Sequence, residues 1–316
     1  TIACFYLVAI YALNALSPVL AGKFQVCTTV IKLIPLMLMA VVGTIVGLSN
    51  GMTVNNFTHV VDSSVSSSGG LFASVVAVAF AYEGWIIATS INAELKDSKK
   101  NLPKALVLGS LIVVFVYIFY YIGLTGAVPT ETLMESGQTG AMLAFKNIFG
   151  AVGGTLIFVF VIISCLGTLN GLMLGCTRGM YALAVRHRGP LPEMFKQVDK
   201  TTNMPTNSSI IGLLLSAFWL LYFYGANLTD TWFGVFSFDS SELPIITLYA
   251  AYIPIFVMMM KKEKGLSTFK RIIMPLLSII GCLFMVVAAI LAHGKAVAYY
   301  LIIFVLIMLI GSLFKN

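Results

Sequence analysis

The chain has 316 residues, of which 59% are hydrophobic and only 10% are charged, whereas an ordinary soluble domain carries roughly 25% charged residues. This composition excludes a soluble globular protein and favours a protein that lies within a lipid bilayer. The net charge of +7 gives little support to nucleic acid binding, because the basic residues of a membrane protein concentrate in the loops on its cytoplasmic side.

Nine apolar runs follow one another along the chain, separated by charged or turn-rich links. A helix needs about 20 residues to cross a bilayer, and most of these runs reach about that length. The runs lack the two-residue alternation of barrel strands, and a helix satisfies its own main-chain hydrogen bonds in lipid. We therefore predict an all-α polytopic membrane protein with one transmembrane domain over residues 1–316. The runs cover residues 2–16, 26–48, 71–91, 105–128, 152–185, 210–224, 233–260, 272–292 and 296–314.

The first run starts at residue 2, directly after Thr1. Neither a basic region before it nor a small-residue cleavage motif after it indicates a signal peptide. A helix that starts without a preceding link is typical of a cut through a longer sequence. We therefore expect an N-terminally truncated chain that lacks the first helices of its fold.

Basic residues concentrate in alternate links. Of the nineteen lysines and arginines, Lys146 and Lys295 occupy the opposite set of links and Lys32 lies within a run. The positive-inside rule places the basic links in the cytoplasm, so we predict a multi-pass protein of the cell membrane with a cytoplasmic C-terminus. The residues of these basic links are Lys23, Lys96, Lys99, Lys100, Lys104, Arg178, Arg186, Arg188, Lys196, Lys200, Lys261, Lys262, Lys264, Lys270, Arg271 and Lys315.

The reactive side chains do not indicate an enzyme. The five cysteines lie inside apolar runs without the spacing of metal ligands, and the three histidines lie in links or at a helix end. We predict no metal and no cofactor. A membrane-embedded transferase acting on a lipid-linked substrate is the alternative, against which the lack of a His and Asp constellation counts. A channel would need a repeated pore segment, and the sequence contains none.

A carboxylate and a glycine interrupt the run over residues 71–91. Glu83 at membrane depth costs a few kcal/mol, so such a residue normally faces a protein interior or a wet cavity. Gly84 beside it can release the helix and leave carbonyls for a ligand, as in the broken helices of transporters. The alternative is a tolerated glycine with Glu83 in a structural pair.

Three segments resemble amino acid permeases of the amino acid, polyamine and organocation superfamily, in the L-type branch that includes bacterial serine/threonine exchangers. The resemblance covers the chain as helices four to twelve of that family. It implies an incomplete LeuT-like inverted-repeat bundle without the first three helices. The matching segments are Phe-Ala-Tyr-Glu-Gly-Trp at 80–85 with Asn-Leu-Pro-Lys-Ala at 101–105, Gly-Thr-Leu-Asn-Gly at 167–171 with 177–192, and Gly-Lys-Phe-Gln at 22–25 with Ile-Lys-Leu at 31–33.

The resemblance implies a secondary transporter of L-amino acids that works by alternating access, as an antiporter or with a coupled proton. Phe80 would offer a carbonyl to the substrate ammonium and its ring as an outer gate, and an ammonium suits carbonyls because it has donors only. Leu172 favours a neutral substrate. The implied substrate-binding residues are Phe80, Ala81, Tyr82, Glu83, Gly84, Thr168 and Leu172.

The same resemblance implies one ion-coupling role, that of Lys32, and a second role is a hypothesis from the acidic residues within the apolar runs. Lys32 would place its ammonium where related carriers hold a sodium ion, so transport would be independent of sodium; the alternative is a lysine that snorkels to the inner surface. Glu83 or Glu242 could carry a coupled proton. The implied partners are an amino acid and the lipid bilayer, and the sequence identifies no partner subunit.

Overall fold

The computed structural model describes residues 1–59, 70–92, 95–229 and 232–314. Within these ranges the chain is helical and contains no strand, so the prediction of an all-α protein is confirmed. The α-helices are α1 (Ile2–Leu16), α2 (Pro18–Leu38), α3 (Thr44–Ser49), α4 (Met52–Thr58), α5 (Gly70–Tyr82), α6 (Trp85–Ser90), α7 (Ser98–Ala127), α8 (Thr130–Ser136), α9 (Gly140–Cys176), α10 (Gly179–Ala184), α11 (Pro192–Phe195), α12 (Thr206–Asn227), α13 (Ile245–Lys262), α14 (Met274–His293) and α15 (Lys295–Ser312).

Eight helical segments of the described residues are long and apolar enough to cross a membrane. The first predicted run also forms a helix, but α1 has 15 residues and is shorter than the usual range of about 17–25. Some spans contain more than one helix. In the first of them, a π-helical turn at Met39–Gly43 connects α2 to α3. The eight segments are Pro18–Ser49, Gly70–Ser90, Ser98–Ala127, Gly140–Ala184, Thr206–Asn227, Ile245–Lys262, Phe269–His293 and Lys295–Ser312.

Four predicted runs differ from their helices by seven residues or more at one end. The helices of the runs over 26–48 and 105–128 begin at Pro18 and Ser98, and the other two limits have local causes. Apart from a 3-10 turn at Gly234–Phe236, the run over 233–260 becomes helical only at Ile245, because Oδ1 of Asp239 accepts a hydrogen bond from the Ser241 N–H at 2.8 Å and fixes a turn. The run over 152–185 extends back to Gly140, but Gly150 has φ 73° and ψ −172° and divides α9 at that point. Hydropathy does not reveal the limit at Gly150, since residues on both sides of it are apolar, whereas Asp239, Glu242 and Pro244 break the apolar pattern before Ile245.

The described residues form two compact units. The first takes in those of Thr1–Ser66 and Gly84–Ala217, and the second those of Ser67–Glu83 and Phe218–Asn316. A buried cluster in the second unit packs α5 against α13, α14 and α15. It consists of Val76, Phe238, Leu243, Ile246, Ala288, Ala289 and Val297. The single domain over residues 1–316 stays a prediction.

In the first unit, glycines allow α7 to lie directly against the turn that follows α2. A Cβ on Gly123 would overlap the main chain of Met39 and Ala40. Small residues serve this purpose between membrane helices, where close backbone packing replaces the hydrophobic effect as the source of stability.

We expect Gly123→Ala to destabilise the protein by about 1–3 kcal/mol, since the added methyl forces two backbones apart. Gly109 is the matched control, because it lies on the same helix and a Cβ there meets open space. Thermal unfolding in detergent should give a lower midpoint for Gly123→Ala than for Gly109→Ala. Equal midpoints would contradict the close packing of these helices.

Candidate binding site at a helix break

The membrane span at Gly70–Ser90 is broken in its middle. Helix α5 ends at Tyr82 and α6 begins at Trp85, with Glu83 and Gly84 outside helical geometry. Gly84 has φ 118° and ψ −13°, a conformation that side chains with a Cβ rarely adopt. The helix break predicted from the sequence is therefore confirmed.

The break places main-chain acceptors inside the span. The last carbonyls of a helix lack intrahelical partners and carry the negative end of its dipole. At the end of α5, the Phe80 carbonyl accepts the Glu83 N–H at 3.2 Å, which uses one of its two lone pairs. The break is therefore suited to a ligand that donates hydrogen bonds and carries positive charge.

The carboxylate of Glu83 is paired within the second unit. Its Oε1 accepts a hydrogen bond from the Tyr252 hydroxyl of α13 at 2.9 Å. Its Oε2 is buried and has no hydrogen-bond partner among the described residues. The Tyr249 ring lies edge-on to Tyr252, with ring centres 5.7 Å apart. Glu83 thus has the structural pair considered in the sequence analysis, and it keeps a second acceptor oxygen for another donor.

The predicted site residues fall in both units. The break brings Phe80, Ala81, Tyr82 and Glu83 together in the second unit. The members in the first unit are Gly84, Thr168, Leu172 and Lys32. Their assignment as binding residues stays a prediction.

Thr168 and Leu172 lie one turn apart on an exposed face of α9. The Leu172 side chain is 49% exposed within the described chain. The Thr168 hydroxyl donates to none of the described residues, whereas the hydroxyls of Thr28 and Thr29 donate to carbonyls one turn back. This face therefore offers an apolar side chain and a hydroxyl that remains available for hydrogen bonding.

Lys32 lies on the face of α2 that packs against α9. Positions 21, 25, 28 and 32 recur at helical spacing and share one side of the helix. Asn170 of α9 donates to the Ala21 carbonyl at 3.2 Å and to Oε1 of Gln25 at 2.8 Å. Thr28 lies against Gly167. Lys32 continues this row and is half-buried, so the helix interface supports the predicted inward position.

Two polar partners escaped the sequence analysis. Tyr252 is distant from Glu83 in the chain and has no local motif that marks it. Asn14 of α1 donates to Oδ1 of Asn170 at 2.9 Å, which extends the contact between α9 and α2 to a third helix. A lone amide in an apolar run was the available signal, since buried amides need hydrogen-bond partners.

A second polar cluster lies at the end of α14. The Nε2 atom of His293 is 3.8 Å from Oε2 of Glu242, in the segment that precedes α13. Neither residue belongs to the helix break. Among the described residues, no group of three His, Cys, Asp or Glu side chains could hold a metal ion. The role of Glu242 as a proton carrier stays a prediction.

Comparison with known proteins identifies relatives over the whole range of helices. Residues 1–313 match the family described as amino acid permease. A serine/threonine exchanger of Bacillus subtilis is 29% identical over 279 residues, which are 86% of this chain and 59% of the exchanger. An aspartate-proton symporter of the same species is 33% identical over 153 residues, 46% of this chain and 29% of the symporter.

A human cystine/glutamate transporter is 23% identical over 202 residues, which are 64% of this chain and 39% of the transporter. The matched part of the chain thus spans between 29% and 59% of the length of these relatives. The relatives are transporters and not enzymes. The eight candidate spans and this kinship make the chain part of a multi-pass membrane protein.

Proposed function

Because the chain belongs to the amino acid permease family, we propose that it provides much of a secondary transporter of neutral L-amino acids. The transporter works by alternating access and exchanges its substrates without sodium. The observation that carries this proposal is the helix break at Glu83 and Gly84. Broken helices at the bilayer midplane form substrate sites in transporters because their main-chain groups are free to bind charged ligands.

The amino acid ammonium binds at the end of α5. Main-chain oxygens of Phe80, Ala81 and Glu83 accept its hydrogen bonds, with the partial negative charge of the helix end adding attraction. Gly84 supplies the turn that exposes these oxygens, and Tyr82 lines the same turn. Phe80 is 49% exposed, which is compatible with an aromatic ring that covers a bound substrate.

The face of α9 that carries Thr168 and Leu172, in the first unit, suits neutral substrates. Leu172 presents an apolar surface and Thr168 a hydroxyl, so small amino acids with apolar or hydroxyl side chains fit this face best. The Bacillus subtilis exchanger bears a serine/threonine name, in keeping with this chemistry. A charged substrate would require a counter-charge, since burying an unpaired charge is costly.

Lys32 takes the place of a sodium ion. Its position on the α2 face against α9 puts a fixed positive charge at a helix interface, where a cation would otherwise bridge the helices. One relative is a proton symporter, and the buried Oε2 of Glu83 is the best candidate for a proton if uptake proves to be proton-coupled.

The orientation of the protein follows from its basic links. We place these links in the cytoplasm and the protein in the cell membrane, by the positive-inside rule. Lys315, the last basic residue of this set, lies outside the described residues. Accessibility of cysteines introduced at Lys264 and at Glu131 to an impermeant reagent should differ, with the second alone labelled from outside.

Counterflow in proteoliposomes containing the intact protein tests the proposed function. Vesicles loaded with unlabelled serine or alanine should accumulate the labelled L-amino acid from outside, with sodium replaced by choline. Acidic and basic amino acids should compete weakly. Absence of counterflow for every neutral amino acid, or strict dependence on sodium, would contradict the proposal.

The pair formed by Glu83 and Tyr252 provides a further prediction. Tyr252→Phe removes the 2.9 Å hydrogen bond to Oε1, and a buried carboxylate that loses a donor costs about 1–3 kcal/mol or more. We expect counterflow to fall by about tenfold, equivalent to 1.4 kcal/mol. Tyr249→Phe is the matched control on the same helix and should retain transport. Equal activity of the two variants would contradict a role of the Tyr252 hydroxyl in transport.

A further inference from the structure

A groove of about 480 Å³ lies between α6 and α7 in the first unit. Its lining is almost entirely apolar and consists of Trp85, Leu106, Val107, Ser110 and Leu111. The side chains of Val107 and Leu111 are 60% and 50% exposed, and that of Trp85 is 40% exposed. Both helices belong to candidate membrane spans, so an apolar groove between them suits a hydrocarbon chain.

Positive charge stands at one end of this groove. Lys100, Lys104, Val107 and Leu111 are spaced by four, three and four residues, so they share one face of α7. Lys104 is seven residues from Leu111, which is about 10 Å along a helix at 1.5 Å per residue. Both lysines are exposed. The face thus carries two ammonium groups near the membrane surface and an apolar groove that begins within one turn of Lys104 and extends to about 10 Å from it.

We propose that this face of α7 binds an anionic phospholipid. The headgroup phosphate lies between Lys100 and Lys104, and one acyl chain lies along Val107 and Leu111 against the Trp85 ring. Basic residues at the membrane surface recognise anionic headgroups in this way. Residues 94–104 include four lysines and two acidic residues, Glu94 and Asp97, so the local excess of positive charge favours an anionic lipid over a zwitterionic one.

The bound lipid contacts the half-helix that follows the break. Trp85 is the first residue of α6 and directly follows Gly84. An acyl chain against Trp85 therefore restrains α6, and a change in lipid changes the freedom of that half-helix to move. Lipid binding at this groove is independent of the proposed substrate, so its test does not depend on transport.

Quenching of tryptophan fluorescence by brominated lipids tests this site. A variant of the intact protein in which Trp219 and Trp232 are replaced by phenylalanine, so that Trp85 is its one remaining tryptophan in residues 1–316, is placed in phosphatidylcholine vesicles. These contain a fixed fraction of brominated phosphatidylglycerol or brominated phosphatidylcholine. The relative binding constant of the anionic lipid should be about fivefold or more above that of phosphatidylcholine, since each surface lysine adds attraction for an anionic headgroup.

Matched double variants locate the headgroup. Lys100→Gln with Lys104→Gln should abolish the preference, whereas Lys96→Gln with Lys99→Gln removes the same charge from the same link and should retain it. Equal quenching by both lipids in the parent protein would overturn the proposal, and so would an equal loss in both double variants. If the single-tryptophan protein does not reconstitute, native mass spectrometry of phosphatidylglycerol retained by the same variants makes the same comparison.

Discussion

Replacing Gly84 with alanine is expected to reduce amino acid counterflow by about tenfold or more while the protein remains folded. Alanine at φ 118° is strained, since a left-handed conformation costs an ordinary residue roughly 1–2 kcal/mol. A Cβ at this position meets no atom within 4 Å, so the cost comes from the backbone and not from a steric clash. The backbone relieves it by returning towards helical geometry, which withdraws the main-chain oxygens from the substrate.

Two companion variants separate this effect from general instability. Gly51 has φ 77° and ψ −3°, also with open space at its Cβ, so Gly51→Ala carries a similar strain away from the break and should retain transport. Gly84→Asn should fall between glycine and alanine, because asparagine tolerates positive φ better than most residues. An unchanged rate in Gly84→Ala would contradict the role of the break.

Replacing Lys32 with methionine is expected to reduce counterflow by about tenfold or more in sodium-free medium. Methionine keeps the length of the side chain and removes its charge, so the variant isolates the ammonium. Without that charge, the interface between α2 and α9 loses the cation that we propose in place of sodium. Lys23→Met is the matched control, since it lies about 13 Å away along the same helix and is exposed.

The outcome of this comparison distinguishes the two readings of Lys32. A lysine that only snorkels should tolerate methionine as well as Lys23 does, because its loss exposes no unpaired group. Normal transport by Lys32→Met would therefore contradict the coupling role. Restoration of transport by added sodium would support it, since the ion would then occupy the position of the ammonium.

Local sequence signals predicted the helix break because its causes are local. A glycine beside an acidic residue, deep in an apolar run, combines weak helix propensity with a side chain that needs a polar environment. The same reasoning located most spans, since length and hydropathy determine which segments cross a bilayer. It placed the start of α13 too early, although Asp239, Glu242 and Pro244 interrupt the apolar run shortly before Ile245.

The sequence did not predict contacts between residues that are distant in the chain. Tyr252 becomes a hydrogen-bond partner of Glu83 only when α13 packs beside the end of α5 in the second unit. The sequence of either helix alone does not predict that packing. The face of Lys32 was likewise undetermined until Gln25 and Thr28 were seen against α9. Hydrophobic periodicity is weak in helices that are apolar on all sides, so it does not identify which face packs against protein.

A cryo-electron microscopy structure of the intact protein with a bound neutral amino acid tests the central claim most directly. We expect the substrate ammonium within about 3 Å of main-chain oxygens between Phe80 and Glu83, the usual length of a hydrogen bond, with Gly84 still at positive φ. A continuous helix through residues 79–90, or an amino acid bound away from this turn, would contradict it.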